Sequence, residues 1–170
     1  KSPLTGIMGD SNAGGYFGPA MKRAGIDHIV ISGAASEPVY LWIDNGKVEI
    51  RPARNLWGKN VRETEAMIRD ELGDKRVRVA SIGQAGENLV RIASVIHEER
   101  AAARTGMGAV MGSKKLKAVA VRGSQGVPLF DPEGFNRYAK ELQKKIGASS
   151  AYDHFRKKGG STGTFGTDKA

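Results

Sequence analysis

The dipeptide Asn45-Gly46 narrows the possible folds more than any other feature of this chain. It separates two runs of strand-forming residues, 39–43 and 47–50. Asn-Gly is the strongest short signal for a two-residue hairpin turn, because both residues accept the positive φ angles that such a turn requires. The sequence therefore predicts an antiparallel strand pair at 39–50.

The other patterns alternate between helix and strand. A capping box at Asn60 and Glu63 begins a helix over 61–72, and Asp131 as N-cap begins a last helix that Gly147 ends. The remaining predicted elements are helices at 17–24 and around 109–111 and strands at 28–32, 77–82 and 116–121. This mixture predicts the α+β class.

The composition excludes several kinds of site. None of the 170 residues is cysteine, so this chain alone cannot form a disulfide framework or a thiolate-ligated zinc or iron–sulfur site. No apolar run approaches the roughly 20 residues of a membrane helix, and no export signal is present, so we expect a cytoplasmic protein without a membrane partner. Residues 1–5 and 159–164 both read as the interior of a longer polypeptide.

The net charge favours an anionic ligand. The 27 Lys and Arg against 18 Asp and Glu give +9 at pH 7. Such an excess attracts the phosphates of nucleic acid, acidic lipids or a cofactor, although basic side chains also simply solvate surfaces. One candidate is therefore a basic phosphate- or nucleic-acid-binding module without catalytic activity. Aromatic residues make up only 6%, and no stacking motif favours nucleic acid as the partner.

The first candidate binding segment is Ser11-Asn12-Ala13-Gly14-Gly15. Its paired glycines remove side chains where the backbone must approach a ligand, and the helix predicted after it directs free N–H groups toward the same point. A phosphate would fit there. The alternative is an ordinary turn before a helix.

The second candidate segment is Arg100-Ala101-Ala102-Ala103-Arg104-Thr105-Gly106-Met107-Gly108. Arginine offers planar bidentate donors to phosphate, and exposed carbonyls in such a loop can coordinate Mg²⁺. The alternative is a solvated surface turn. Neither segment matches the phosphate-binding loop of nucleotide hydrolases or the glycine spacing of dinucleotide-binding folds.

The other candidate residues carry less chemistry. His28, His97 and His154 lack metal-ligand spacing and are expected to be packing or surface residues. Glu87 is expected to be a buried carboxylate that orders the turn 83–88. No Ser/His/Asp set can be assembled, and we assign no catalytic residue within this chain.

Four phrases of this sequence, in order and over almost the whole chain, resemble the aldehyde:ferredoxin oxidoreductase family of tungstopterin enzymes. They are Lys1-Ser2-Pro3-Leu4-Thr5-Gly6, Asn12-Ala13-Gly14-Gly15-Tyr16-Phe17-Gly18, residues 80–88, and Arg100-Ala101-Ala102-Ala103-Arg104 leading into 108–114. The family usually has glycine where this chain has Ala103 and Thr105, and a Cβ at either position restricts positive φ.

The resemblance implies a fold and a cofactor. In the family, two pseudo-twofold-related β-sheets with short helices form the base under a tungsten (or molybdenum) bis-pterin. Residues 1–126 would be this domain, incomplete at its N-terminus, and 127–170 a helix and linker to later domains. The cofactor contacts it implies are Asn12, Ala13, Gly14, Gly15, Arg100, Ala101 and Arg104, with carbonyls of Asn12 and Ala101 on Mg²⁺.

The resemblance also implies an activity for the full-length chain. That chain would oxidise aldehydes to carboxylic acids and pass electrons through a [4Fe–4S] cluster, whose ligands lie outside this segment, to ferredoxin. The remaining domains of the polypeptide would be partners, a homo-oligomer is possible, and the metabolism would be anaerobic. A truncated or split subunit, folded but inactive, is a further alternative.

Overall fold

The computed structural model describes residues 1–158, without the side chains of residues 154, 155, 157 and 158. Residues 159–170 of the predicted helix-and-linker segment, 127–170, lie outside these residues. The described chain divides into two compact units, the first Lys1–Val127 and the second beginning at Pro128.

The first unit is built on one six-stranded sheet. Its strands are β1 Val39–Asp44, β2 Lys47–Pro52, β3 Arg78–Ser81, β4 Val95–His97, β5 Arg100–Ala102 and β6 Leu116–Arg122. They lie in the order β2-β1-β6-β3-β4-β5, and only the neighbours β1 and β6 are parallel. The mixed α and β class is confirmed. Two pseudo-twofold-related sheets remain a prediction, since the described strands form one sheet.

The Asn-Gly hairpin is confirmed. Val39 pairs with Pro52 and Asp44 with Lys47, so the connection consists of Asn45 and Gly46 alone. Their φ angles are 49° and 89°, both in the left-handed region that a tight hairpin turn of this twist requires.

Helices cover both faces of the sheet. They are α1 Phe17–Arg23, α2 Val61–Leu72, α3 Gln84–Glu87 and α4 Met107–Ser113. Side chains of β1 alternate between the two faces: Tyr40 and Trp42 pack beneath α2 with Ile68, whereas Leu41 and Ile43 pack on the side of α1 and α4. The predicted capping box of α2 is present, because Asn60 and Glu63 each accept a hydrogen bond from the other's backbone N–H.

A β-bulge in β6 changes the direction of one side chain. Leu116 lies opposite Val39 and Ala118 opposite the next residue, so Lys117 is the extra residue. Leu116 therefore packs on the α1 side although Ala118 and Ala120 pack on the α2 side. The bulge directs Lys117 into a fully buried position, an effect for which bulges are well suited.

The predicted strand at 28–32 is wrong. This segment is irregular, and Val30 is 85% exposed. Ile26 and Ile29 pack against the cluster on the α1 side. The segment thus lies over a face of the sheet, and the two neighbouring positions beside β1 are already taken by β2 and β6.

The second unit contains α5 Pro132–Gly147 and α6 Ser150–Lys158. The predicted start of α5 is confirmed, because the Asp131 Oδ1 accepts a hydrogen bond of 2.9 Å from the Gly134 N–H. The apolar side chains at helical spacing along α5 are exposed: Phe135, Tyr138, Leu142 and Ile146. No helix was predicted from the sequence at α6.

Within residues 1–158, no helix combines the length and apolar character needed to cross a membrane.

Candidate functional site

The two glycine-rich segments predicted from the sequence lie side by side. The Arg104 N–H donates a 3.0 Å hydrogen bond to Ser11 Oγ, and the Thr105 hydroxyl reaches the Asp10 carbonyl at 3.4 Å. At the other end, Gly15 approaches Arg100 so closely that a Cβ would lie 3.1 Å from Arg100 Cγ. The first segment therefore runs antiparallel to the second, and together they form one surface, here called the paired loops (residues 9–15 and 100–108).

The glycines of the first segment have different roles. Gly15 has φ 92°, and a Cβ there would lie 2.9 Å from His97 Cε1, so any side chain would be both strained and crowded. A Cβ on Gly14 would meet nothing within 4 Å. The backbone beside Gly14 thus faces open space, where a ligand can approach it.

The path of the second segment depends on two successive positive φ angles. Thr105 has φ 66° and Gly106 has φ 71°. This conformation is disfavoured for a β-branched residue, and the Thr105 hydroxyl also donates to the Arg104 carbonyl at 2.6 Å. A Cβ on Gly106 would lie 1.9 Å from the Arg91 carbonyl oxygen, so glycine is required there.

The second segment was predicted to be a loop throughout, and this prediction is wrong for its first three residues. Arg100, Ala101 and Ala102 form β5, which pairs with β4 across the turn Glu98-Glu99. Glu98 takes the positive φ of 52° that closes this turn. Glutamate is not a typical residue for that conformation, so the sequence contained no turn signal before Arg100.

The seven predicted contact residues are all exposed on the paired loops: Asn12, Ala13, Gly14, Gly15, Arg100, Ala101 and Arg104. Ser11 contacts Arg104, and Gly15 contacts Arg100. Asn12 on the first segment and Ala101 on the second both lie between these two contacts.

Two carboxylates that were not predicted from the sequence lie beside Arg100, at one end of the paired loops. A shallow cleft of about 290 Å³ is lined by Gly15, Tyr16, Glu98, Glu99 and Arg100. Glu98 forms an ion pair with Arg78, whose guanidinium also lies 5.1 Å from the centre of the Tyr16 ring. Their position in the sequence, directly before Arg100, was the signal from which these two site residues could have been predicted.

His97 borders the paired loops from below. It is buried, its ring centre lies 5.6 Å from that of Phe17, and its Nδ1 has no hydrogen-bond partner among the described residues. The expectation of a packing residue is confirmed, and His28 is exposed as a surface residue. The side chain of His154 lies outside the described part of the chain.

Glu87 is buried as predicted. One carboxylate oxygen pairs with the Lys117 ammonium, and the other accepts a 2.8 Å hydrogen bond from the Gly58 N–H. Lys117 also donates to the Lys59 carbonyl at 2.8 Å. This pair joins the bulge in β6 to α3 and to the residues before α2, and its role is structural.

The described residues contain no group of three or more His, Cys, Asp or Glu side chains that could hold a metal ion. The Mg²⁺ ligands implied by the resemblance are backbone carbonyls rather than side chains, and they remain a prediction.

Comparison with known proteins identifies the family of this chain. The model of the aldehyde ferredoxin oxidoreductase N-terminal domain matches residues 1–123, which contain both paired loops. The tungsten-containing aldehyde ferredoxin oxidoreductases of Pyrococcus furiosus and Thermococcus kodakarensis are each 52% identical over 147 residues, covering 86% of this chain. The chain spans only 24% of the length of these relatives.

A solved structure agrees with these matches. The active site complex BamBC of benzoyl coenzyme A reductase, solved with 1,5-dienoyl-CoA, superposes with a TM-score of 0.83 at 46% identity, covering 85% of this chain and 22% of that one. Nothing in the comparisons supports a nucleic-acid-binding module. The family match, the sequence identity and the structural similarity agree, and the chain belongs to the aldehyde ferredoxin oxidoreductase family, as its N-terminal domain.

Proposed function

We propose that this chain is the cofactor-binding part of a tungsten-dependent enzyme that oxidises aldehydes to carboxylic acids with ferredoxin as electron acceptor. The names of the relatives support this activity. The observation that carries the proposal is the antiparallel contact of the paired loops, which turns two weak sequence signals 85 or more residues apart into one exposed surface.

The residues present fit a phosphate-bearing pterin cofactor. Gly14 leaves its side of the backbone open, and exposed guanidiniums of Arg100 and Arg104 flank the same surface. Arginine recognises phosphate oxygens through paired N–H donors, and backbone N–H groups add neutral donors without a desolvated charge. Asn12, Ala13, Gly14 and Gly15 would hold one pterin phosphate region, and Arg100, Ala101 and Arg104 the other.

The chemistry is divided between cofactor and protein. When bound, the tungsten centre supplies two-electron redox chemistry. The chain's own residues bind and orient: the arginines neutralise phosphate charge, and Asn12 and Ala101 would offer carbonyl oxygens to Mg²⁺. None of the residues assigned here transfers a proton. We place acid–base groups and [4Fe–4S] ligands in the remaining polypeptide.

The finer architecture is part of the same proposal. Residues 1–126 would act as the base under the cofactor, completed by a second, pseudo-twofold-related sheet, and residues 127–170 would lead to the later domains. The aldehyde, ferredoxin and those domains are the proposed partners. The 24% share of the relatives' length supports a larger polypeptide.

The assignment is tested by replacing Arg100 with alanine in the full-length protein. We expect lower tungsten and pterin content per protein, because one charge-assisted contact to phosphate is lost, at a cost of about 1.5–3 kcal/mol. Metal analysis and fluorescence of the oxidised pterin measure both quantities. Arg54→Ala is the matched control, since Arg54 is exposed and pairs with Glu37 outside the paired loops. Equal occupancy in the two variants would contradict the site.

A further inference from the structure

A second and larger cleft opens beyond Tyr16. Its volume is about 990 Å³, within the range of small-molecule sites. None of the proposed cofactor contacts from Asn12 to Gly15 or from Arg100 to Arg104 lines it. The lining residues come from α1, the hairpin turn, the residues around the start of β3, and the end of β6 with the segment after it. The uncharged polar residues among them are Tyr16, Asn45, Ser124 and Gln125.

The charged side chains on the wall of this cleft are all arginines. Arg23, Arg76, Arg78 and Arg122 line it, and within residues 1–158 no carboxylate does. Clefts lined by one sign of charge concentrate the electric field and attract counter-ions. The wall therefore presents guanidinium N–H donors, and no carboxylate, to a ligand.

Carboxylates outside the wall hold three of these guanidiniums in place. Arg76 pairs with Asp74 at 2.9 Å, and Arg78 pairs with Glu98. Arg122 pairs with Asp44, and its other terminal nitrogen lies 3.5 Å from Asp74.

Asp74 and Asp44 remain charged at neutral pH. The Arg76 guanidinium holds the pKa of Asp74 well below its ordinary value, and Arg122 lowers the pKa of Asp44. Arg76, Arg78 and Arg122 are thus oriented before any ligand arrives, which reduces the entropy lost on binding.

Arg23 differs from the other three. It lies in the last turn of α1, is exposed, and has no carboxylate partner among the described residues. Its full charge and all its N–H donors are available to a ligand, so it should contribute most to the affinity.

The rim of the cleft is also fixed. A Cβ on Gly123 would lie 2.3 Å from both the Ala20 carbonyl oxygen and the Ala24 nitrogen, so only glycine lets this segment cross the end of α1. The Ser124 N–H donates to Asn45 Oδ1 at 2.8 Å, and the Gln125 N–H donates to the Arg23 carbonyl at 3.1 Å. The cleft is therefore a formed feature of the first unit.

We propose that this arginine cleft binds a small anion carrying linked phosphates, of the pyrophosphate type, at a site separate from the paired loops. Several guanidiniums on one wall match several oxyanions on one ligand, and planar N–H forks suit phosphate oxygens. The site lies within the first unit and does not depend on the tungsten cofactor.

The test is calorimetric titration of the full-length, cofactor-loaded protein with inorganic pyrophosphate at low ionic strength. Saturable binding is expected, weakened about tenfold in Arg23→Gln, the effect of roughly 1.4 kcal/mol for one lost charge-assisted contact. Lys22→Gln is the matched control, because it removes the same charge from the adjacent residue of α1, and Lys22 does not line the cleft. Its affinity should change less than about twofold.

Two results would overturn the proposal. Absence of saturable binding would show that the cleft is filled or closed in the full-length protein. Equal weakening in Arg23→Gln and Lys22→Gln would show that pyrophosphate responds only to net charge. Tungsten content, measured in the same samples, reports separately on the cofactor site and is expected to be unchanged in both variants.

Discussion

At the scale of single residues, Glu87 and Lys117 form a buried ion pair. The Lys117 side chain is fully enclosed and that of Glu87 is 4% exposed. Each also bonds to backbone, Glu87 to the Gly58 N–H and Lys117 to the Lys59 carbonyl. Two charges without access to water are tolerated because they pair with each other and each also bonds to a backbone group.

We predict that Glu87→Gln destabilises the protein by about 3–5 kcal/mol, because it leaves the Lys117 ammonium buried without a counter-charge. The free energy of unfolding from denaturant titration measures this. In the control Glu37→Gln, which breaks an exposed pair with Arg54, the loss should stay below about 1 kcal/mol. Similar losses in the two variants would mean that the Glu87 pair contributes no more than a surface pair.

At the scale of elements, the second of the paired loops is anchored by close packing of α4 on α3. A Cβ on Gly112 would lie 1.9 Å from the Gly86 carbonyl oxygen, and a Cβ on Gly108 would lie 2.6 Å from the Ser94 carbonyl oxygen. Glycines in α4 thus allow backbone contact between elements. Because residues 107 and 108 of the second paired loop are the first residues of α4, this contact fixes the C-terminal end of that loop.

Gly112→Ala is expected to destabilise the protein by about 2–3 kcal/mol, since α4 must move away from α3. Gly18→Ala provides the comparison: Gly18 also lies in a seven-residue helix, but its Cβ would meet nothing within 4 Å. There the higher helix propensity of alanine is offset by the restriction that Pro19 places on the residue before it, so stability should change by less than about 1 kcal/mol. Thermal unfolding measures both variants, and losses of equal size would contradict the packing argument.

At the scale of the whole molecule, folding stability is linked to pH through Tyr40. Its ring is buried in the core beneath α2, and its hydroxyl donates a 2.6 Å hydrogen bond to Glu71. Burial, followed by the bond to Glu71, raises the pKa of Tyr40 to about 12. The folded protein therefore retains a proton that the unfolded chain releases near pH 10.

Between about pH 10 and 12 the unfolded state binds fewer protons than the folded state, so the free energy of unfolding falls as pH rises. Tyr40→Phe should be less stable at pH 8, because it lacks the hydrogen bond, and should lose less stability between pH 9 and 11. Denaturant titrations across this range measure the difference. Parallel pH profiles for the two proteins would show that Tyr40 does not carry the linkage.

The sequence by itself determined the features that depend on a few adjacent residues. The Asn45-Gly46 turn, the capping box of α2 and the Asp131 cap of α5 were predictable, because each is a backbone conformation or hydrogen bond set within four positions. The family was also identified from sequence phrases. The contact residues of the paired loops were named from the same phrases and stay a prediction.

Only the tertiary structure decided what depends on distant partners. The contact of Ser11 with Arg104, the burial of Lys117 by a bulge, and the gathering of arginines from three separate segments into one cleft all join residues far apart in sequence. The failed strand at 28–32 has the same cause, since an extended apolar segment becomes a strand only if a sheet edge is free beside it. Adjacent residues determine local backbone geometry, whereas the order and pairing of the strands determine which distant surfaces meet.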